Sequence, residues 1–279
     1  HGTEIDILIP SLKIGIEFNG NLFHSEVFGK KSRTHHLDKM MKMNRNGYGL
    51  IQIFEDEWEE KKEIVKEKLT QLLGKATRIK IDARKCEVIY IEPSIKNDFL
   101  NNFHIQGEDR SNIHIGLVFE DKVVAVMTFD ANRNMTNKKE DGTFELRRFA
   151  TDAQYFVRGG AGKMLSFFIK NNNPKKIISF ADKRWTLNPE NNLYTKLGFK
   201  FHGSTPPEYH YFNQKLHRLR RWSKYGFGKK NIMDKYPSVY HPLKSEWDMM
   251  REAGFDRIWD CGKYKYILDL GEIQVLSKT

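Results

Sequence analysis

The sequence predicts a mixed α/β protein built as two domains, and three observations predict it. First, two short apolar runs, from Glu4 to Pro10 and from Leu12 to Gly20, read as paired strands, and a helix, a strand and a second helix ending at Gly74 follow them. Second, the basic stretch 75–84 has no long apolar period, and beyond it strands and helices resume in a new order, one helix opened by a Gly-rich turn. Third, 279 residues suffice for two domains of ordinary size, each with its own core. The expected division is 1–80 and 81–279, with 213–279 as a basic extension of the second domain.

A formal net charge of +11, a pI near 9.4 and 13% aromatic residues suit a polyanion, and double-stranded DNA is the first expectation. No apolar segment approaches a membrane span and no signal-peptide pattern opens the chain, so the protein reads as soluble and cytoplasmic, in a bacterial or phage-infected cell. Two cysteines, Cys86 and Cys261, exclude a disulfide framework and a four-thiolate zinc site.

Asp6 sits among Ile5, Ile7, Leu8 and Ile9, and Glu17 follows Ile14 and Ile16. A hairpin would bring both carboxylates to one sheet end, where burial is costly unless they are paired or hold a metal. The plainer reading places them on the polar face of the hairpin. Phe23-His24-Ser25-Glu26 then leads into a basic loop, and Thr34 opens a helix stopped by Gly47, with Leu37, Met40 and Met41 as its stripe and His36 and Lys39 on one face. Residues 48–54 read as a strand and 56–73 as one amphipathic helix. His24, His35, His36, Asp6, Glu17 and Lys39 within so short a span make a candidate site, although each alone also reads as an ordinary packing or surface residue. The acidic run of Glu55, Asp56, Glu57, Glu59 and Glu60 fits a helix N-terminus.

The segments Ile5-Asp6-Ile7, Ile16-Glu17-Phe18-Asn19-Gly20, Phe23-His24-Ser25-Glu26, His36-Leu37-Asp38-Lys39 and Phe54-Glu55-Asp56-Glu57-Trp58 together resemble the nuclease domain of phage-associated homing endonucleases related to the very-short-patch repair endonuclease, a branch of the PD-(D/E)xK fold. The resemblance implies a Mg²⁺-dependent phosphodiester hydrolase, with Asp6 and Glu17 holding the ion, His24 as general base, and His36 and Lys39 on the scissile phosphate or leaving oxygen. Asn19 stands where the general fold carries its lysine, and the further Glu expected in this branch would precede His1 or be missing.

In the second domain, strands are expected at 86–91, 113–119, 123–129, 144–150 and 177–181, and helices at 93–103, 164–169 and 188–196. The turn Val157-Arg158-Gly159-Gly160-Ala161-Gly162-Lys163 can present backbone N–H groups to an anion, or simply bend the chain. With Leu193-Tyr194-Thr195-Lys196-Leu197-Gly198-Phe199, it makes residues 86–212 resemble the GNAT-type N-acetyltransferase fold. That resemblance implies acetyl-CoA as cofactor, Gly160 and Gly162 at its pyrophosphate and Tyr194 as general acid, with core packing as Tyr194's plainer role. Val157 stands where the family carries Gln or Arg.

Arg147, Arg148, Lys183, Arg184 and Trp185 are candidates for a DNA-contacting surface. So are Arg218, Arg220, Arg221, Lys224, Lys229 and Lys230, which interleave with Trp222, Tyr225 and Phe227. Ser245 caps a helix running to Gly254, and 257–259 with 264–267 read as a closing pair of strands. The reading is therefore a DNA endonuclease of mobile-element type, a PD-(D/E)xK domain followed by a GNAT-like, DNA-recognising domain. The alternatives are a GNAT-type acetyltransferase acting on nucleic acid or a basic protein, and a non-catalytic DNA-binding protein.

Overall fold

The computed structural model describes residues 4–133, 139–213 and 215–271, and divides the chain into two compact units. One comprises residues 1–62, 182–187 and 204–263; the other comprises 63–181, 188–203 and 264–279.

The first unit opens with the expected hairpin. Strand β1 (Ile7–Ile9) pairs antiparallel with β2 (Ile14–Asn19), Ile7 opposite Ile16, across a short turn in which Lys13 takes a left-handed φ of 53°. Helix α1 (His35–Arg45) follows, then β3 (Gly49–Phe54), which pairs parallel with β2 so that Glu17 lies opposite Gln52 and Asn19 opposite Phe54. Burial of Met40, Met43 and Leu50 holds α1 on this sheet.

The helix expected over 56–73 is two, α2 (Glu55–Glu60) and α3 (Lys62–Leu72), broken at Lys61, whose φ of −134° and ψ of 35° are not helical. Glu57 explains the different course of α2. Its carboxylate accepts the Phe54 N–H and is buried with Arg184 and Arg221 rather than solvated at a helix end.

From Glu63 the chain belongs to the second unit. Its elements are β4 (Ile79–Asp82), β5 (Glu87–Tyr90), α4 (Pro93–Phe103), β6 (Ile113–Phe119), β7 (Lys122–Arg133), β8 (Lys139–Thr151), β9 (Tyr155–Arg158), α5 (Gly160–Asn172), β10 (Lys176–Asp182), α6 (Leu193–Lys196) and β11 (Lys200–Ser204). Strands β5 to β8 form an antiparallel meander, its β6–β7 turn carried by Glu120 and Asp121 at φ of 48° and 60°. Strand β10 adds to β8 in parallel, α5 being the crossover. The core centres on Phe129 stacked on Phe168 at 3.6 Å between ring centroids, with Leu117, Met127, Met164 and Ile177 around it.

Residues 204–263 return to the first unit, so the segment 213–263, expected in the second domain, packs elsewhere. Strand β12 (Tyr209–Asn213) lies between β13 (His217–Ser223) and β14 (Asp256–Trp259), and α7 (Lys229–Lys235) and α8 (Glu246–Glu252) follow β13. The aromatic residues explain this packing: Tyr211, Phe227 and Phe255 are buried together, with Trp222 and Trp247 against them. Ser245 caps α8 as expected, accepting the Asp248 N–H. The closing strands do not pair with each other. β14 joins β12, whereas β15 (Lys263–Asp269) lies between β11 and β10 in the seven-stranded sheet of the second unit. Gly262, at φ 74°, makes the bend between them, where a Cβ would meet the Thr205 carbonyl oxygen at 2.3 Å.

Candidate functional site

In the first unit the hairpin and α1 bring Asp6, Glu17 and Lys39 together. The exposed Asp6 carboxylate accepts the Phe18 N–H at 2.7 Å, and the buried Glu17 carboxylate receives the Lys39 ammonium through Oε1. Burial pushes the Glu17 carboxyl above its usual range, against the bond from Lys39. Asn19 is fully buried, and its Nδ2 donates to Gln52 Oε1 at 3.3 Å. Lys39 holds Glu17 Oε1 and the Phe18 N–H holds one oxygen of Asp6, while the buried Glu17 Oε2 has no hydrogen-bond partner among the described residues.

His24 and His36 meet beside this pair, Nδ1 of the former 3.2 Å from Nε2 of the latter, with rings stacked at 18°. His35 is edge-on to both. Gln52 Nε2 donates to the His36 carbonyl at 2.9 Å, and Phe54 packs edge-on against the His36 ring. Burial, then the neighbouring positive groups, lowers the His24 pKa to about 4; burial also lowers His35 and, well below the usual value, His36. The Trp259 backbone lies near enough to favour a His36 N–H, although Nδ1 has no partner at full hydrogen-bond geometry.

Three of the expected DNA-contacting residues, Lys183, Arg184 and Trp185, are buried, and Arg221 and Lys224 are held in ion pairs. Arg184 gives a two-pronged ion pair to Glu57, at 2.8 and 2.9 Å, and also binds Asp182. Arg221 binds Asp56 and Glu57 and lies 3.9 Å from the Phe54 ring centroid. These pairs are cores of charge and leave no guanidinium for phosphate. Lys183 and Trp185 are buried, and Lys224 is paired with Glu208. In the second unit Arg147 is exposed beside Glu145 and Asp130, and Arg148 is half-buried, donating to the Arg147 carbonyl. Arg220, Lys229 and Lys230 are exposed; the Arg218 side chain lies outside the described residues.

The second unit carries an opening in its sheet. The parallel ladder of β8 and β10 runs from Thr143 opposite Lys176 to Leu146 opposite Ser179 and stops there, although β8 continues to Thr151 and β10 to Asp182. At the last rung Ser179 Oγ donates to the Leu146 carbonyl at 2.8 Å, and the Tyr194 hydroxyl is hydrogen-bonded to the Ser179 side chain. Tyr194 is held by Asn192, whose Oδ1 accepts the Tyr194 N–H, and by stacking on Tyr266 at 4.8 Å. Burial raises the phenol's pKa above its usual 10.0. Arg148 acts on the same phenol electrostatically, and its buried Nε has no hydrogen-bond partner among the described residues.

Gly159, in the left-handed region at φ 77°, turns the chain into α5. Gly160 and Gly162 differ. A Cβ on Gly160 would press on the side chains of Leu117 at 3.0 Å and Val157 at 3.2 Å, so packing alone favours glycine there. A Cβ on Gly162 would meet only Leu197, at an ordinary 3.9 Å, so the fold itself leaves that space open.

A cavity of ≈ 380 Å³ adjoins the carboxyl end of β8, lined by Phe149 and Thr151, by Leu193 next to Tyr194, and by Glu63, Glu67 and Asn102. Neither Ser179 nor this cavity stood out in the sequence. Ser179 is one polar residue in an apolar strand, the signal that could have marked it, whereas Glu63 and Glu67 read as the solvated face of a helix.

No protein-family model matches the chain, and no curated protein matches it. Solved structures similar to this chain include a GNAT family acetyltransferase from Elizabethkingia anophelis with acetyl-CoA bound, at 13% identity over 67% of this chain and 99% of that one, TM-score 0.36. An acetyltransferase from Bacillus subtilis in complex with CoA matches at 13% identity over 67% and 98%, TM-score 0.35. An N-acetyltransferase from Staphylococcus aureus Mu50 matches at 13% identity over 66% and 98%, TM-score 0.34. The mixed α/β fold stands on the second unit's own topology, an antiparallel meander of β5 to β8 extended by parallel β10 across α5. The expected homing endonuclease, a metal-dependent hydrolase using Mg²⁺, is corrected: the solved structures reported as similar to this chain are acetyltransferases. Among the described residues no helix is long and apolar enough to cross a membrane.

Proposed function

We propose that the second unit is an acyltransferase that takes acetyl-CoA in the opening between β8 and β10 and transfers the acetyl group to an amine in the adjoining cavity. The observation that carries this reading is the end of the parallel ladder at Leu146 and Ser179, with the Tyr194 hydroxyl on Ser179 at the same place. Ligands of open α/β sheets bind where neighbouring strands part at their carboxyl ends.

Two features fit the cofactor. Gly162 leaves room on the first turn of α5, whose leading N–H groups have no helical acceptor and suit a pyrophosphate. Arg148 brings an unused N–H donor to the opening. When bound, acetyl-CoA supplies an acetyl group activated as a thioester. Tyr194 holds a proton for the departing sulfur, and its raised pKa keeps that proton in place at neutral pH. Glu63, paired with Lys66, and Glu67 line the cavity together with Lys68, a mixed-charge rim, and the acceptor we propose for it is a lysine or terminal amine of a peptide. Incubation with acetyl-CoA and a lysine-rich peptide should release free thiol, and acetyl-CoA alone should raise the melting temperature. Neither effect at millimolar acetyl-CoA would remove the proposal.

We further propose that the first unit contacts nucleic acid through its exposed basic residues. The chain's +11 charge, the exposure of Arg220, Lys229 and Lys230, and Tyr225 at 76% exposed support this reading.

A further inference from the structure

We propose that His24, His35 and His36 form a binding site for one transition-metal ion of the zinc class, its fourth position open to water or an anion. The site lies in the first unit and does not depend on acyl transfer in the second.

Spacing is the main argument. Zinc–nitrogen bonds of about 2.0–2.1 Å in a tetrahedral site hold ligand nitrogens roughly 3.3 Å apart. His24 Nδ1 and His36 Nε2 already stand 3.2 Å apart, and one donor atom from each of the three residues lies within 4.8 Å of the others. Rotation of the half-exposed His35 ring closes the set. Imidazole donors select zinc-like ions over Mg²⁺, which prefers oxygen, so this is a different site from the one expected at Asp6 and Glu17.

The backbone is prepared for it. His35 and His36 occupy the first turn of α1, the Gln52 amide fixes the His36 carbonyl, and the His24 N–H donates to the Gly20 carbonyl at 3.0 Å. Neutral imidazole is the form that offers a lone pair to a metal. Without metal, one of the two facing rings donates its N–H to the other. On metal binding that proton moves to the far nitrogen of its own ring, so both facing nitrogens carry lone pairs and no proton is released.

Lys31 and Lys39 oppose a cation here, and Asp6 attracts one. Lys39 is offset by Glu17. Lys31 then favours an anion as the fourth ligand.

The test uses the full chain, treated with chelator and titrated with Co²⁺, then Zn²⁺. One Co²⁺ per chain should bind with the visible absorption of a four-coordinate site and be displaced by an equivalent of Zn²⁺. His24→Ala and His35→Ala should each weaken binding about tenfold or more. His35→Ala removes a half-exposed ring, circular dichroism verifies its fold, and His202→Ala, at an exposed position, should bind as the parent does. Absence of that absorption, or affinity unchanged in both His24→Ala and His35→Ala, would overturn the site.

Discussion

The Tyr194 hydroxyl is hydrogen-bonded to Ser179 at the last rung of the ladder between β8 and β10. A phenol used only for packing would not need that position; a phenol delivering a proton into the opening would. Tyr194→Phe should therefore lower kcat by about 10²–10⁴, the usual contribution of a general acid, and leave acetyl-CoA affinity nearly unchanged. Steady-state kinetics with an equilibrium binding measurement separates the two. A parallel loss of affinity would return Tyr194 to a packing role.

Gly160 and Gly162 should respond differently to the same change. Gly160→Ala forces a methyl against Leu117 and Val157 and should destabilise the second unit by about 1–3 kcal/mol. Gly162→Ala meets only Leu197 at van der Waals distance and should leave melting unchanged or slightly higher, while weakening acetyl-CoA binding. Calorimetry with and without the cofactor reads both effects.

Arg184 and Arg220 divide structural charge from surface charge. Arg184→Met takes from Asp182 its guanidinium partner and leaves Glu57 with Arg221 alone, and should cost about 3 kcal/mol, seen as a lower melting temperature. Arg220→Ala with Lys230→Ala should leave melting within about 0.5 kcal/mol. The double variant should reduce the slope of log affinity for DNA against log salt by roughly 2. A salt slope equal to the parent's would exclude these residues from the contact.

Acid should unfold the first unit in two stages. Burial opposes the ionised form of Glu57, but Arg184 and Arg221 outweigh it and hold the pKa at about 2; Lys263 and Lys224 do the same for Glu208, also about 2. Burial lowers His210 to about 3, so the unfolded chain takes up protons there below its usual 6.5. In each case the unfolded state binds more protons, so stability falls with pH: gradually from 6.5, and more steeply below 4.5 as the carboxylates add their loss. All five tryptophans lie in the first unit, so tryptophan fluorescence against pH follows it alone.

Local elements were legible where one period or one signal decided them. Pro93 and the apolar spacing after it place α4 at its observed Pro93–Phe103, and the hairpin of Asp6 and Glu17 forms as the alternation implies. What sequence could not show is which charges meet. Lys39 reads as an exposed helical lysine until α1 folds onto β2, and Arg184, Arg221 and Glu57 stand too far apart in the chain for their pairing to be read. The basic, aromatic segment after residue 213 was legible only in part. Phe227 is a core residue and Trp222 packs on Phe255, so some of its rings serve the core, while Arg220, Tyr225, Lys229 and Lys230 stay at the surface. The three histidines were legible as a group, but their mutual spacing was not, because the loop carrying His24 has no periodicity to fix it.

The most direct test of the acyl-transfer account is equilibrium binding of acetyl-CoA to the full chain, by calorimetry, in the parent and in Gly162→Ala. The account predicts one site per chain, with affinity clearly weakened in the variant while its melting temperature without cofactor is retained. No heat of binding in the parent, or equal affinity in both proteins, would contradict it.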